Sequence, residues 1–464
     1  MKIVKRVEWA VNSTNIPPGS IIYIAGNAAT PQVLLRQLAT DTSIRDVDTL
    51  SLLLLGDFPG LFSQETCERI RHRIIFNGPH SREAMNKGWA RYQLLHLSDI
   101  PNQVKKYIKP NVVFLSVAGP DNGGNYSLGT TVEGVRAAID AAKANQGLVV
   151  AERNANMPFI LGTTVHQNEI DYLIETNYDL PHTPVHTMDD RATKIGNLIA
   201  ELYIKDGCTL QYGIGEVPEA VTQAIIRKGV KDLGIWTELF ADAMRGLVEK
   251  GIVTNKYMAQ GFSVSSIFLA NSKEGYQWLD FNSSVQSRPS NRTNNVMMIA
   301  QQNRMIAINS AIGADLHGNI WADSMNAREI YGGIGGQVDF IRGSYQSEGG
   351  VPIIAMKSTT DKGQSKIMDM SPQGITTTAI PADPVVIVTE NGAFDPRGLT
   401  IAEHAVGIAH LAAEEYREQL LKKIYDSNVF YKPKEALRDV YKKGFIAYDD
   451  VFGSEIHIGD RSGN

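Results

Sequence analysis

The chain states one arrangement twice: an apolar strand, a glycine and a proline-opened helix. That repetition restricts it to an α/β architecture built in two halves. In the first half, Ser20-Ile21-Ile22-Tyr23-Ile24-Ala25 reads as a strand ending at Gly26, and Pro31 opens a helix with apolar Leu34, Leu35 and Leu38. In the second, Cys208-Thr209-Leu210-Gln211-Tyr212 reads as a strand ending at Gly213, and Pro218 opens a helix with Val221, Ala224 and Ile225. A turn of the form Asp-x-x-Gly-Asn also recurs, as Asp121 to Asn125 after Val112-Val113-Phe114-Leu115 and as Asp315 to Asn319 after Met305-Ile306-Ala307-Ile308. Strand, glycine and helix are common neighbours, so one match alone is compatible with chance. Two matches in the same order favour two homologous open-sheet α/β domains. The boundary falls between about Pro184 and Asp206, which divides the chain into residues 1–190 and 191–464. Open sheets bind ligands beyond the carboxyl ends of their strands, so the expected site is a cleft at the domain interface.

Charge and composition exclude several functions. The formal net charge is −5, with both signs mixed along the chain, so there is no basic stripe for nucleic acid and a small-molecule partner is expected. Only Cys67 and Cys208 occur, far apart, which excludes a disulfide framework or a cysteine metal cluster and points to a reducing, cytoplasmic compartment. The first residues, Met1-Lys2-Ile3-Val4-Lys5-Arg6, carry charge inside their apolar stretch and lack a signal-peptide core. Apolar runs such as Leu52 to Leu55 and Leu148 to Ala151 suit buried parallel strands and are far too short to span a membrane. The tail from about Glu414 to Lys443 reads as amphipathic surface helices.

Three segments can carry chemistry. In Tyr331-Gly332-Gly333-Ile334-Gly335-Gly336-Gln337, four glycines in five positions let backbone N–H groups converge on one oxygen. Such a loop suits an oxyanion hole, a phosphate cradle or a tight packed turn, and composition does not choose among them. Gly213-Ile214-Gly215-Glu216-Val217-Pro218 joins a strand to a helix N-terminus, a place that favours an anion. It lacks the third glycine of a dinucleotide fingerprint and the Gly-Lys-Ser/Thr of a P-loop, so NAD and ATP are poor fits. Between the two lies Asp232-Leu233-Gly234-Ile235-Trp236-Thr237-Glu238-Leu239-Phe240. Glu238 is awkwardly placed among apolar residues for a solvated carboxylate, but a helix N-terminal charge with no chemistry is the simpler physical reading. The histidines, among them His96, His166, His182, His186, His317, His404 and His410, show no metal-ligand spacing, and no metal is expected. A serine-hydrolase elbow of the form G-x-S-x-G is absent.

These segments resemble the acetyl-CoA hydrolase/transferase family of class I CoA-transferases, and within it the 4-hydroxybutyrate and butyryl-CoA:acetate CoA-transferases. The resemblance rests on Asp232 to Phe240 with Leu247-Val248-Glu249-Lys250-Gly251 and Thr254-Asn255-Lys256, on Ile308-Asn309-Ser310, on Gly333 to Gly343 and on Ile353-Ile354-Ala355-Met356. Asn125 to Gly129 and Asn156-Met157-Pro158 extend it into the first half. It implies that Glu238 is a covalent nucleophile, that Gly335 and Gly336 form the oxyanion hole, and that Gly213, Ile214, Gly215, Glu216 and Val217 contact coenzyme A, with Gly313, Gly332 and Gly336 as further CoA contacts. The implied substrates are an acyl-CoA and a short-chain carboxylic acid such as acetate, exchanged through a transient glutamyl-CoA thioester. The implied assembly is a homodimer or a dimer of dimers. An acyl-CoA hydrolase, a succinyl-CoA or itaconate type of transferase, and a CoA-ester-binding module without turnover are the alternatives.

Two departures stand out. The family's Pro-Pro-Asp-x-x-Gly turn is Ala118-Gly119-Pro120-Asp121-Asn122-Gly123-Gly124 here, and its His-Pro-Asp-Phe-Arg tail is His410 to Arg417. The first lies in the half expected to shape the acyl pocket. Glu390, in Thr389-Glu390-Asn391-Gly392, resembles the nucleophile motif of a different CoA-transferase subgroup, but its flanks match a strand followed by a turn.

Overall fold

A computed structural model describes residues 1–326, 329–427, 430 and 443–453. The first half builds an eight-stranded parallel sheet in the order Lys2–Val4, Tyr172–Thr176, Leu148–Asn154, Val112–Val117, Ile21–Ile24, Val47–Ser51, Ile70–Ile74, Arg91–Tyr92. The second half builds a seven-stranded sheet in the order Gly234–Ile235, Thr209–Tyr212, Met305–Asn309, Val351–Ala355, Val386–Thr389, Gly392–Phe394, Phe445–Ala447, with the last two strands antiparallel. Val112–Val117 and Thr209–Tyr212 are buried along their whole length, as parallel strands covered on both faces must be.

The repetition extends to topology. Each sheet has a five-stranded parallel core whose members, ranked by chain order, stand fifth, fourth, third, first, second across the sheet. In the first half these are Ile21–Ile24, Val47–Ser51, Val112–Val117, Leu148–Asn154 and Tyr172–Thr176, and in the second Thr209–Tyr212, Gly234–Ile235, Met305–Asn309, Val351–Ala355 and Val386–Thr389. The recurring turns share one hydrogen-bond scheme. Asp121 Oδ1 accepts from the N–H of Gly123 and Asn125, both at 2.8 Å, and Asp315 Oδ1 accepts from those of His317 and Asn319, both at 3.0 Å. Gly124 and Gly318 hold the left-handed φ values of +77° and +89° that each turn requires.

The helix after the first strand begins at Gln32, directly behind Pro31, whereas its counterpart begins at Glu216, two residues before Pro218. Pro218 is tolerated there because N–H groups of a first helical turn have no intrahelical partner to lose. The tail forms a helix over Glu414–Asp426 that buries Leu420 and Ile424, and residues 428–429 and 431–442 of the expected helical tail lie outside the described residues. One apolar core passes from Val113, Leu115 and Val149 of the first sheet to Leu210, Ile235 and Ile306 of the second, so the halves are packed together. Among the described residues, no helix is long and apolar enough to cross a membrane, and no group of three or more His, Cys, Asp or Glu is placed to hold a metal ion.

Candidate active site

Glu238 sits in a bend after the short strand Gly234–Ile235, on a backbone pinned from several sides. The buried Trp236 indole donates to Thr293 O at 2.7 Å, and Thr237 N–H donates to Val264 O at 3.0 Å. The carbonyl of Glu238 itself accepts from Ile267 N–H at 2.9 Å, Ser265 Oγ at 3.0 Å and Ser266 Oγ at 3.1 Å. That serine segment pairs in turn with the first half, through Phe268 N–H to Thr130 O and Val132 N–H to Ser266 O. The next helix begins only at Asp242, which supplies its acidic first-turn residue, so the helix-charge reading of Glu238 does not hold.

The carboxyl faces the protein interior while one edge of the residue stays open to a cavity of about 520 Å³. Burial is the main cause that lifts its pKa from 4.5 to about 7, and the negative charge of Asp339 adds to it. The side chain of Asn294, donating from Nδ2 to Glu238 Oε2 at 3.0 Å, and the backbone N–H of Gly336 pull the other way by favouring the charged form. A carboxyl that ionises near neutrality, bonded by Asn294 and closely approached by the Gly336 backbone, is poised as a nucleophile.

Gly336 is where the loop touches the carboxyl. A Cβ there would stand 2.0 Å from Glu238 Oε2 and 1.9 Å from Asn294 Nδ2, closer than real Cβ contacts come, so only glycine admits this approach. Gly335 takes φ +62°, and Gly336 caps the helix Gln337–Gln346. The other end of the loop packs on the first half: a Cβ on Gly333 would meet Ile75 O at 2.6 Å, one on Gly332 would touch Phe76 at 3.4 Å, and Gly332 O accepts from Asn77 N–H at 3.0 Å.

Gly213, Ile214, Gly215, Glu216 and Val217 line the same cavity as Glu238. The helix Glu216–Lys228 starts there with no side-chain cap, and a Cβ on Gly213 would meet nothing within 4 Å, so its N-terminus opens onto the cavity. Gly313 is not in the lining; its Cα side is closed by Trp321, which a Cβ would meet at 2.3 Å. Glu390 is not in the cavity lining and is used by Ser358, which donates its N–H at 2.9 Å and its Oγ at 2.6 Å to that carboxylate.

Sequence reasoning missed several residues. Asn294 carries no signal beyond a polar run, and His186, set aside with the other histidines, is on the cavity wall. Lys357 and Lys366 also line it. Lys357 bonds Glu216 at 2.5 Å and Asp189 at 2.9 Å, and Lys366, half-buried beside Lys357 and Arg191, has its pKa lowered first by burial and then by those cations. A lysine two residues after the strand Val351–Ala355 was the one available hint, because strand carboxyl ends are where open sheets bind ligands.

A doubled open sheet, an interdomain glycine loop and a buried glutamate beside an uncapped helix N-terminus define an enzyme of the CoA-transferase class. Comparison with known proteins agrees: residues 6–181 match the acetyl-CoA hydrolase/transferase N-terminal domain and residues 272–424 match the C-terminal domain. The chain belongs to the acetyl-CoA hydrolase/transferase family. It is 34% identical to 4-hydroxybutyrate coenzyme A transferase of Clostridium kluyveri over 78% of this chain and 84% of that protein. It is 31% identical to butyryl-CoA:acetate CoA-transferase of Anaerostipes caccae over 74% of this chain and 78% of the relative. The crystal structure of RipA from Yersinia pestis superposes with a TM-score of 0.84 at 29% identity, covering 91% of this chain and 97% of that one.

Proposed function

We propose that this enzyme moves CoA between a short-chain acyl-CoA, of the butyryl or 4-hydroxybutyryl kind, and a carboxylic acid such as acetate, with Glu238 as the nucleophile. The observation that carries the reading is the contact of Glu238 with both Asn294 and Gly336 at the edge of the cavity lined by Gly213 to Val217. In this reading residues 191–464 supply the nucleophile and the CoA loops, and residues 1–190 shape the acyl side. Gly313 and Gly332 would act at most from behind the lining.

The chemistry requires a carboxylate. An ionised Glu238 oxygen attacks the donor's thioester carbon, the C–S bond breaks, and CoA leaves as a thiolate with an acyl-glutamyl anhydride behind it. The thiolate then attacks the glutamyl carbonyl and expels the donor's acid, which leaves a glutamyl-CoA thioester. The acceptor acid runs both steps in reverse. Both intermediates hold the thioester's energy, which a serine ester would lose. In this reading the N–H of Gly336 and the amide of Asn294, on the Oε2 side of Glu238, stabilise the oxyanion that forms when the thiolate or an acid attacks the glutamyl carbonyl, and one such donor typically supplies about 3 kcal/mol.

Borohydride added with acyl-CoA should reduce the glutamyl thioester, and peptide mapping should place the reduced residue at 238. Glu238→Ala should abolish transfer, and a Glu238→Ala enzyme with wild-type turnover would remove the proposal. CoA release that proceeds equally with and without acetate would make the enzyme a hydrolase.

A further inference from the structure

The Gly335–Gly336 peptide is held from the other half of the molecule. Leu97 N–H donates to Gly335 O at 3.0 Å. In a trans peptide the C=O and the next N–H point in opposite directions. Fixing the Gly335 carbonyl toward Leu97 therefore turns the Gly336 N–H away from it, to the side where Glu238 lies. One residue on, Ser98 grips the helix that this peptide starts. Its N–H donates to Asp339 Oδ2 at 3.2 Å and its Oγ to Asp339 Oδ1 at 2.8 Å. Asp339 is 6% exposed and stands in the first turn of Gln337–Gln346. Leu97 is buried, and both it and Ser98 belong to the single 3-10 turn Leu97–Asp99.

We propose that the turn Leu97–Asp99 is an interdomain latch: Leu97 and Ser98 are positioning residues that aim the Gly336 N–H at Glu238 only while the two halves are seated together. Neither residue reaches the carboxyl itself. The proposal rests on the reading of Glu238 as nucleophile, but the latch has a physical signature of its own. Losing it frees the glycine loop whether or not the protein transfers CoA.

The electrostatics give a second, independent readout. Asp339 is faced by Ser98 and by the charges of His96 and Asp99, and Glu238 by Asn294, Gly336 and Asp339. The Ser98 donors favour ionised Asp339, and that charge disfavours ionised Glu238. A variant without the Asp339 charge should ionise Glu238 at lower pH, whereas a variant that is merely less stable should leave the pH profile in place.

The test compares Ser98→Ala, Ser98→Thr and Asp339→Asn with wild type in the full chain. Hydrogen–deuterium exchange reads the peptide spanning residues 331–340, and steady-state kinetics read kcat, KM for acyl-CoA and the pH profile. The latch predicts faster exchange of that peptide in Ser98→Ala, a kcat reduced about ten- to a hundredfold with KM changed less than about threefold, and recovery in Ser98→Thr. Asp339→Asn, which keeps an acceptor for Ser98, should retain more turnover than Ser98→Ala and shift the acid limb to lower pH. Unchanged exchange over 331–340 in Ser98→Ala would overturn the latch, as would a kcat within twofold of wild type. A wild-type protein that transfers no CoA would instead overturn the proposed function, and the exchange data would still decide the latch.

Discussion

Gly336→Ala isolates the contact on which the active-site reading depends. Gly336 has φ −105° and ψ +12°, angles that alanine adopts readily, so the substitution should leave the backbone unstrained. The cost is steric. The new methyl would stand 2.0 Å from Glu238 Oε2 and 1.9 Å from Asn294 Nδ2, and relief requires each to retreat by about 1 Å. Neither can do so easily. The Glu238 backbone is held by Ile267, Ser265 and Ser266, and Asn294 Oδ1 accepts from Thr293 Oγ1 at 2.8 Å. The carboxyl must therefore swing off its donors. A displacement of about 1 Å near reacting atoms costs on the order of a hundredfold, and losing an oxyanion donor costs about a hundred- to a thousandfold. The expected loss in kcat is thus about 10² to 10³, or about 3 to 4 kcal/mol, together with about 1 to 3 kcal/mol of stability lost to the overpacking. Gly335→Ala is the control: at φ +62° it strains the backbone by about 1 to 2 kcal/mol, yet its Cβ meets only Phe76 at 3.8 Å, so it should lower stability comparably while costing far less turnover. CoA transfer to acetate, with thermal unfolding alongside, measures both. A Gly336→Ala enzyme with kcat within threefold of wild type would refute the geometry.

Three further outcomes follow from the buried carboxyls. With Glu238 at about 7, the nucleophile is about one-tenth ionised a unit lower, so kcat/KM should fall tenfold per unit on the acid side of a limb near pH 7; a limb near 4.5 would contradict its burial. Asn294→Ala removes a donor that favours the charged form, so the same limb should move to higher pH by about one unit while kcat drops about a hundredfold; a shift downward would contradict the hydrogen bond. Glu152, fully buried, is raised from 4.5 to about 7, so its contribution to stability is present below pH 4.5 and is lost as pH rises through 7. Urea unfolding of Glu152→Gln should therefore gain on wild type by about 3 kcal/mol between pH 4.5 and 8, and a constant gap would show that Glu152 is not held in its neutral form.

Local pattern made the repeated framework legible. Strand runs such as Val112-Val113-Phe114-Leu115 and the Asp121 and Asp315 turns are dictated by residues within a few positions of one another, and both appear where the sequence implies. The surroundings of Glu238 were not legible in this way. Asn294 reaches it across 56 positions, and Ser98 reaches Asp339 across 241. Such polar contacts leave no periodicity, since one asparagine or serine among others has the same local propensities whether or not a distant partner awaits it. Physical reading of Glu238 alone favoured a helix charge, and it failed because the segment Gly234 to Ala241 is two short strands with a bend between them, ending where the helix begins.

The duplication also explains why one half carries the open cavity. In both, the first helix of the sheet points its N-terminus toward the carboxyl end of the fourth core strand. In the first half that strand, Leu148–Asn154, carries Glu152, whose Oε1 accepts from Leu34 N–H at 2.7 Å and whose Oε2 accepts from Tyr178 Oη at 2.6 Å. A side-chain carboxyl thus fills the place an anionic ligand would take at the helix Gln32–Thr40. In the second half the strand Val351–Ala355 is followed by Lys357, a cation, which bonds Glu216 at the start of the helix Glu216–Lys228. There the helix N-terminus faces a cavity instead of a carboxyl carried by the strand. A scaffold with two equivalent helix starts has closed one with its own glutamate and left the other, which shares its cavity with Glu238, open to a ligand.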